Sequence, residues 1–424
     1  MRKMKYKPKN VNQLNWTMMN QKFQNCGVTF SIDVAKTAFV GLLTNQDQTI
    51  VQLVKWTHPQ DSEAFIEHLH HDLGATRLTV VMESTGTYGD AVRWQFVKRG
   101  IPIYQVNPKH THDQSESFDG VPSSHDAKAA CIIADLHLRG RSQEWKLHPP
   151  ERRNLCGLVN ELEINQKIHQ ANLNRLSATL IRHWPELETI MDIKTVSVLS
   201  LLSEYGDPQQ VIKHQKEASI LLYKVGRIGV TSEKPQVILD SASTTLGVPC
   251  SSGERDYIKY LATDLLRTYK ACADVEKRMA QVTDAKEELT ELVELCGKVT
   301  TVVLVALLGD LREYDSANSL LNAMGLNLKE HSSGQYKSRL SITKRGSGKV
   351  RYYLYWLSLR LIHKDPLVKM WYEQKVARDG GHKKGRAIVA VMRKVVKALC
   401  YVAKGDAFDS QKLFNTKHLA LLAK

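Results

Sequence analysis

Between residues 27 and 140 the apolar pattern changes period in a definite order, and that order constrains the fold more than anything else in the 424-residue chain. Gly27-Val-Thr-Phe-Ser-Ile-Asp33, Thr37-Ala-Phe-Val-Gly-Leu-Leu43 and Thr49-Ile-Val-Gln-Leu-Val-Lys55 read as three strands joined by polar turns. Ser62 to Leu73 sets Phe65, Ile66, Leu69 and Leu73 at helical spacing. Leu78-Thr-Val-Val-Met82 is a short buried-type strand and Tyr88 to Arg99 a helix. Ile101 to Val106 is another strand, ended by Asn107-Pro108. After a polar loop, Asp126 to Leu138 returns to helix.

A meander followed by two βα crossovers is the order of an RNase H-like fold, so the first domain is expected to be α/β with that topology. Three acids stand at telling places in it. Asp33 and Glu83 close strands, and Asp126 opens the late helix. Alone, an Asp at a strand end is a turn residue and an Asp at a helix start is a cap. Glu83, between Val-Val-Met and Ser-Thr-Gly, is harder to dismiss, because Glu is depleted in strands. Carboxylates at neighbouring strand ends and on a nearby helix converge on divalent metal, and metal so held drives in-line phosphoryl transfer. A fourth acid is expected one turn after Asp126, where Ala129 stands instead. Asp135 lies about 180° around that helix and does not replace it. Asp113 and Asp119 sit in the preceding loop, within reach only if that loop folds back.

Charge is distributed unevenly. The formal net charge is +15, and residues 333–400 hold 17 Lys/Arg against 3 Asp/Glu. A polyanion such as DNA or RNA is the natural partner of that concentration. The candidate phosphate contacts are Lys337, Arg339, Lys344, Arg345, Lys349, Arg351, Lys383, Lys384, Arg386, Arg393 and Lys397. The last three, with Lys404, form a cationic stripe beside the apolar face of a final helix. Seven scattered cysteines without a CxxC pair argue for reduced thiols in a cytosolic setting and against zinc. No run of about 18 apolar residues is present, so no membrane span is expected.

Five segments follow. Residues 1–24 read as a basic, disordered arm, and 25–148 as the α/β domain. Residues 150–295 hold two long amphipathic helices, about 150–185 and 254–295, expected to form an imperfect coiled coil within or between chains. Residues 296–404 make a mainly helical, basic domain, with a basic turn from Thr343 to Arg351, and 405–424 a tail. Ser332-Ser333-Gly334 is a glycine-bounded loop among cations, compatible with a serine nucleophile but on its own more simply a flexible turn. Glu67-His68-Leu-His70-His71-Asp72 reads as a solvated helix end rather than a metal site. Tyr352, Tyr353 and Tyr355 read as core, with base stacking the lesser alternative.

Together these pieces resemble transposases of the insertion-sequence-110 family. The resemblance is carried by Phe30-Ser-Ile-Asp33-Val-Ala-Lys36, Val81-Met-Glu83-Ser-Thr-Gly86-Thr-Tyr88, Val106-Asn-Pro108 and His125-Asp126 through Asp135. Toward the C-terminus it is carried by Met324-Gly-Leu326, Ser333-Gly334 and Ile342-Thr-Lys-Arg-Gly346 to Arg351, while residues 190–290 match loosely. It implies a RuvC-like DEDD domain, a coiled coil and a C-terminal domain with a nucleophilic Ser. It further implies Mg2+ or Mn2+, donor and target DNA, a structured noncoding guide RNA in some members, and a dimer or tetramer in the bacterial or archaeal cytoplasm. Asp33, Glu83 and Asp126 match the first three acids, Ser333 the serine, and Ala129 the fourth acid. The departure at Ala129 implies a chain inactivated there, by a deliberate substitution or in a degenerate copy. The alternatives are a Holliday-junction resolvase-like nuclease using acids and water, and a non-catalytic nucleic-acid-binding protein.

Overall fold

The structure, a computed structural model, describes residues 6–84, 86–226, 233–330 and 340–414, and the backbone alone at 332–333 and 336–337. The chain divides into two compact units, one ending at His148 and the other beginning at Pro149.

In the first unit the elements run β1 (Lys9–Asn10), α1 (Trp16–Lys22), β2 (Val28–Val34), β3 (Ala38–Thr44), β4 (Val51–Thr57) and α2 (Ser62–Asp72). They continue with β5 (Leu78–Glu83), α3 (Asp90–Lys98), β6 (Ile103–Val106), α4 (Pro108–Asp119), α5 (Asp126–Leu138) and β7 (Gln143–Glu144). The sheet order is β1-β4-β3-β2-β5-β6-β7. β2, β3 and β4 pair antiparallel, and β2, β5 and β6 pair parallel. This is the expected meander with two crossovers.

Strand alternation assigns each side chain a face. Val28, Phe30, Ile32, Val80 and Met82 bury against α1, α2 and α3 through Met19, Phe65, Ile66 and Phe96. Val40, Leu42 and Leu53 bury on the opposite face against Ala127, Ala130, Cys131 and Ala134 of α5. Small residues along α5 let it lie close to the sheet, and Ser31 Oγ donates to the Ala130 carbonyl at 2.7 Å.

Two expectations fail in this unit. Residues from Tyr6 to Gln24 are not a disordered arm: β1 pairs parallel with β4, and Val11, Met19 and Phe23 are buried. The three- and four-residue spacing of Trp16, Met19 and Phe23 gives the segment an apolar face, and Arg77 donates to the carbonyls of Phe23 and Gln24. The segment after Pro108 is a helix rather than a loop. Asn107 caps it by accepting from Lys109 N, Pro108 opens it, and Gly120 closes it at φ 74°.

The second unit begins with α6 (Pro150–His183). Short helices follow: α7 (Leu187–Ile190), α8 (Val196–Tyr205), α9 (Pro208–Lys213), α10 (Gln215–Gly226) and α11 (Lys234–Thr244). Next come α12 (Ser252–Asp284), α13 (Thr290–Cys296), α14 (Lys298–Leu308) and α15 (Ala317–Ala323). Two-residue strands β8 (Leu328–Lys329), β9 (Ser332–Ser333), β10 (Tyr336–Lys337) and β11 (Ser341–Ile342) lead to α16 (Gly348–Lys364). The last elements are α17 (Pro366–Arg378), α18 (Lys384–Val402) and α19 (Ser410–Leu413).

The two long helices pair within the chain and run antiparallel. Arg278 meets Glu161, His169 meets Thr268 and Asn172 meets Asp264, each later residue of α6 facing an earlier one of α12. α12 stops at Asp284, short of the expected 295, where a turn leads into α13. Leu173, Leu176 and Leu180 share a core with α8 to α12. Leu155, Val159 and Leu162 share another with Val275, Met279 and α14. The C-terminal helices close a third, through Val350, Leu354, Leu357 and the apolar side of α18. Among the described residues no helix is long and apolar enough to cross a membrane.

Gly41 is a sensitive position in the meander. A Cβ there would meet the Phe30 ring at 2.4 Å, and Phe30 is fully buried among Trp56, Phe65 and Phe96. Gly41→Ala is expected to cost about 1–3 kcal/mol by overpacking, read as a lower urea midpoint. A variant as stable as its parent would show that the Phe30 cluster yields.

Candidate functional site

The register of β2 on β5 ends with Ile32 opposite Met82, so Asp33 and Glu83 are the next neighbours at the carboxyl ends of two parallel strands. Alternation puts both on the face that α5 covers, the face of Ser31 and Val81. The hydrogen bond from Ser31 to Ala130 fixes α5 across β2 one helical turn from Asp126. Asp126 is not the cap of its helix. His125 is, its Nδ1 accepting from Lys128 N at 3.2 Å, which leaves the Asp126 carboxylate free of that duty.

Asp33 lies in the field of the other two acids. Burial first, then the charges of Asp126 and Glu83, push Asp33 up from the ordinary carboxylate range to about 6. Glu83 is raised by burial and drawn back by the nearby Thr111 hydroxyl. Thr111 Oγ1 is buried and makes no hydrogen bond of normal geometry, so its influence on Glu83 is one of proximity. None of the three acids forms an ion pair among the described residues, and an all-oxygen, uncompensated donor set suits a hard divalent cation.

A cavity of about 430 Å³ opens beside Asp33 and Glu83, lined by them and by Thr111, Glu116, Lys128 and Ala129 among others, whereas Asp126 is exposed and does not line it. Ala129 thus stands at the site, as its place on α5 predicts. Lys128 does not neutralise it. Its ammonium is committed to Asp119 at 2.7 Å and to the carbonyls of Val121 and Ser123, pinning the segment before α5. That contact holds Asp119 down to about 2. Asp119 also accepts from Tyr6, while Asp113 pairs with Lys109. Asp135 is engaged by Gln114 and Arg139. A third acid lining the cavity is Glu116 on α4, which sequence reasoning missed. Its only signal is four-residue spacing from His112 in a stretch taken for loop.

One further expectation changes. Glu67, His70 and His71, read as a solvated helix end, bring one ligand atom each within 4.8 Å of one another. Glu67, however, already binds Arg99 at 3.1 Å. Tyr352 and Tyr355 are exposed rather than core, and Tyr353 is half-buried.

On the second unit, Ser333 and Ser332 pair with Tyr336 and Lys337 as a two-stranded hairpin. The side chains of Ser333, Lys337 and Arg339 lie outside the described residues. Lys344, Arg345, Lys384, Arg386 and Lys397 are exposed, Lys383 is half-exposed, and Arg393 is half-buried. Arg386 lies 3.8 Å from Asp379. Two candidates serve the fold instead. Lys349 and Arg351 belong to the first turn of α16, not to a basic turn. Lys349 binds Asn160 and Glu163 of α6, and Arg351 donates to the carbonyls of Met324 and Gly346. Gly346 has φ 147° and backbone contacts that leave no room for a Cβ, 2.3 Å from the Ala323 carbonyl oxygen. Lys394, absent from the candidates, lies over the Trp371 ring at 4.9 Å and is lowered chiefly by burial.

The raised Asp33 has a measurable consequence. Its folded-state value exceeds its unfolded one, so its ionisation opposes folding. That penalty is absent below about pH 4 and complete above about pH 6. Metal-free Asp33→Asn is expected to melt several degrees above the parent at pH 7.5 and level with it near pH 3.5, at roughly 2 kcal/mol. Identical melting curves at pH 7.5 would show the acids to be solvated and apart.

Comparison with known proteins bears on the same segments. A family model described as a transposase, of the IS110 DEDD type, matches residues 30–185, which include all three acids and Ala129. A second, described as "Transposase IS116/IS110/IS902 family", matches residues 293–373, which include Ser333 and α16. The chain is 28% identical over 323 residues to the transposase for insertion sequence element IS1111A of Coxiella burnetii (strain RSA 493 / Nine Mile phase I), covering 74% of each. The two matched segments name one family and take in more than half of the chain, which belongs to the insertion-sequence-110 family of transposases.

Proposed function

We propose that this chain is built as a DNA recombinase that cuts and rejoins DNA at specific sites through Ser333, with Asp33, Glu83 and Asp126 holding Mg2+ or Mn2+. The observation that supports the reading is the placement of half-buried Asp33 and Glu83 at neighbouring strand ends on the face that α5 covers, with Asp33 raised to about 6 by burial and by the charges of the exposed Asp126 and of Glu83. A divalent cation bound there supplies charge neutralisation and polarises a scissile phosphodiester. The hydroxyl of Ser333 attacks phosphorus, an O–P bond to the serine forms, and the bond to the leaving deoxyribose oxygen breaks. The exposed cations Lys344, Arg345, Lys384 and Lys397 grip phosphates. Because the acids and Ser333 belong to different units of the chain, the reaction requires the two to meet at one phosphodiester. A dimer or tetramer provides one route, and a structured guide RNA would select donor and target.

Ala129 makes the present chain defective in this scheme. It removes one of four carboxylates and thereby weakens metal retention and activity. Glu116, lining the same cavity, is the carboxylate available to offset part of that loss. A resolvase-like nuclease and a non-catalytic binding protein remain the competing readings, and covalent chemistry separates them from this one.

Two experiments test the proposal. Ala129→Asp is expected to gain magnesium-dependent cleavage of element-end DNA by at least about tenfold and to accumulate a protein–DNA adduct stable to denaturant. Adding Ser333→Ala should abolish that adduct, and an adduct that persists would refute the serine role. For the cations, Lys344→Ala and Arg345→Ala should each reduce the slope of log K against log salt by about one without changing the melting temperature. Arg351→Ala should instead cost about 1–3 kcal/mol of stability. Equal melting of all three would place Arg351 back among the phosphate contacts.

A further inference from the structure

α16 carries large aromatic side chains on the wrong side for a core. Val350, Leu354 and Leu357 face inward and are buried, which satisfies the helix's apolar side. On the outer side Tyr352 is 54% exposed, Tyr355 36% and Trp356 54%. These three residues lie three and four apart, so they form one contiguous patch rather than scattered surface rings. Trp356 meets Tyr352 at 6.2 Å and 73° and Tyr355 at 5.8 Å and 85°. Tyr352 also meets Tyr353 edge-on at 5.4 Å, so the rings brace one another while remaining open to solvent.

The patch runs into a groove. A cavity of about 720 Å³ between α6, α12 and α16 is bordered by Tyr352, Tyr353, Tyr269, Gln166 and Gln170. Its walls also carry Lys167, Lys349 and Glu276, with Glu163 paired to both lysines, so aromatic rings stand beside amides that can both donate and accept and beside charges of both signs. The surrounding segment is the most cationic in the chain, with 17 Lys/Arg against 3 Asp/Glu from 333 to 400. Exposed rings and amides in the chain's most cationic segment select for a strand whose bases are unpaired, because a duplex hides its base faces and offers only phosphates.

We propose that this face of α16, with the groove at its foot, binds the unpaired nucleobases of a single-stranded nucleic acid, which stack on Tyr352 and Trp356. The proposal rests on the nucleic-acid half of the function given above and is independent of the metal site and of Ser333. RNA and DNA single strands share the stacking chemistry, and an RNA-only effect would add a contact to the ribose hydroxyl.

Fluorescence anisotropy on the full chain tests it with three labelled probes: a short oligouridylate, the matching oligothymidylate and a duplex. Tyr352→Ala and Trp356→Leu should each weaken single-strand binding roughly 5- to 100-fold and leave duplex binding within about twofold. Trp356→Phe should retain most of the affinity, and the melting temperature should not move in any variant. Unchanged single-strand affinity in the first two variants overturns the proposal. So does a change of oligomeric state in sedimentation with strand binding intact, which would give the patch to a second copy of the chain. A parent protein that binds none of the probes would instead sink the broader function.

Discussion

The proposed site depends on an unfavourable interaction, the burial of Asp33 in the fields of Glu83 and Asp126 at the carboxyl ends of two parallel strands. Left alone, three carboxylates would separate or protonate, and Asp33 goes part of the way, sitting at about 6. The penalty for its ionisation is on the order of 2 kcal/mol. The crowding is sustained because the elements bearing the acids are held by forces that ignore charge. β2 and β5 are locked by parallel hydrogen bonds over a core of Phe30, Ile32, Val80 and Met82. α5 is held by a row of small residues and by Ser31 on the Ala130 carbonyl. A cation placed among the acids would turn that repulsion into attraction.

The same logic explains why the meander and the acids were legible in the sequence and their surroundings were not. Strand alternation and the 3.6-residue period are local properties, so β2 to β6, α2, α3 and α5 fall where the apolar residues put them. Asp33 and Glu83 could be assigned to strand ends because the apolar runs stop there. α4 could not be read, since only Thr111 of its twelve residues is buried and the segment is polar almost throughout, with Phe118 its one large apolar side chain. Its capping residues, Asn107 and Gly120, were visible but carried no pattern between them. Glu116 was missed with it. The ordering of residues 6–24 depends on a sheet edge supplied by β4, which no local reading contains.

In the second unit the limits are similar. The antiparallel match of α6 and α12 rests on polar pairs such as Asn172 with Asp264, separated by 92 positions. Counting cations marked a basic module correctly but not the employment of each charge. Lys349 and Arg351 look like phosphate contacts in sequence, yet Lys349 ties α16 to α6 and Arg351 ties it to the loop before it. Conversely, the aromatic residues of α16 look like core in sequence because their spacing is helical. Only the position of Leu354 and Leu357 on the opposite side shows that the core is already filled.

The central claim is that the amino-terminal unit gathers its acids to hold a divalent cation. Anomalous diffraction from crystals of the protein soaked in manganese tests it most directly, because manganese scatters anomalously where carbon and oxygen do not. The account predicts a peak bounded by Asp33, Glu83 and Asp126 that weakens in Asp33→Asn. A peak seated on Glu67, His70 and His71, with none beside Asp33, would contradict it.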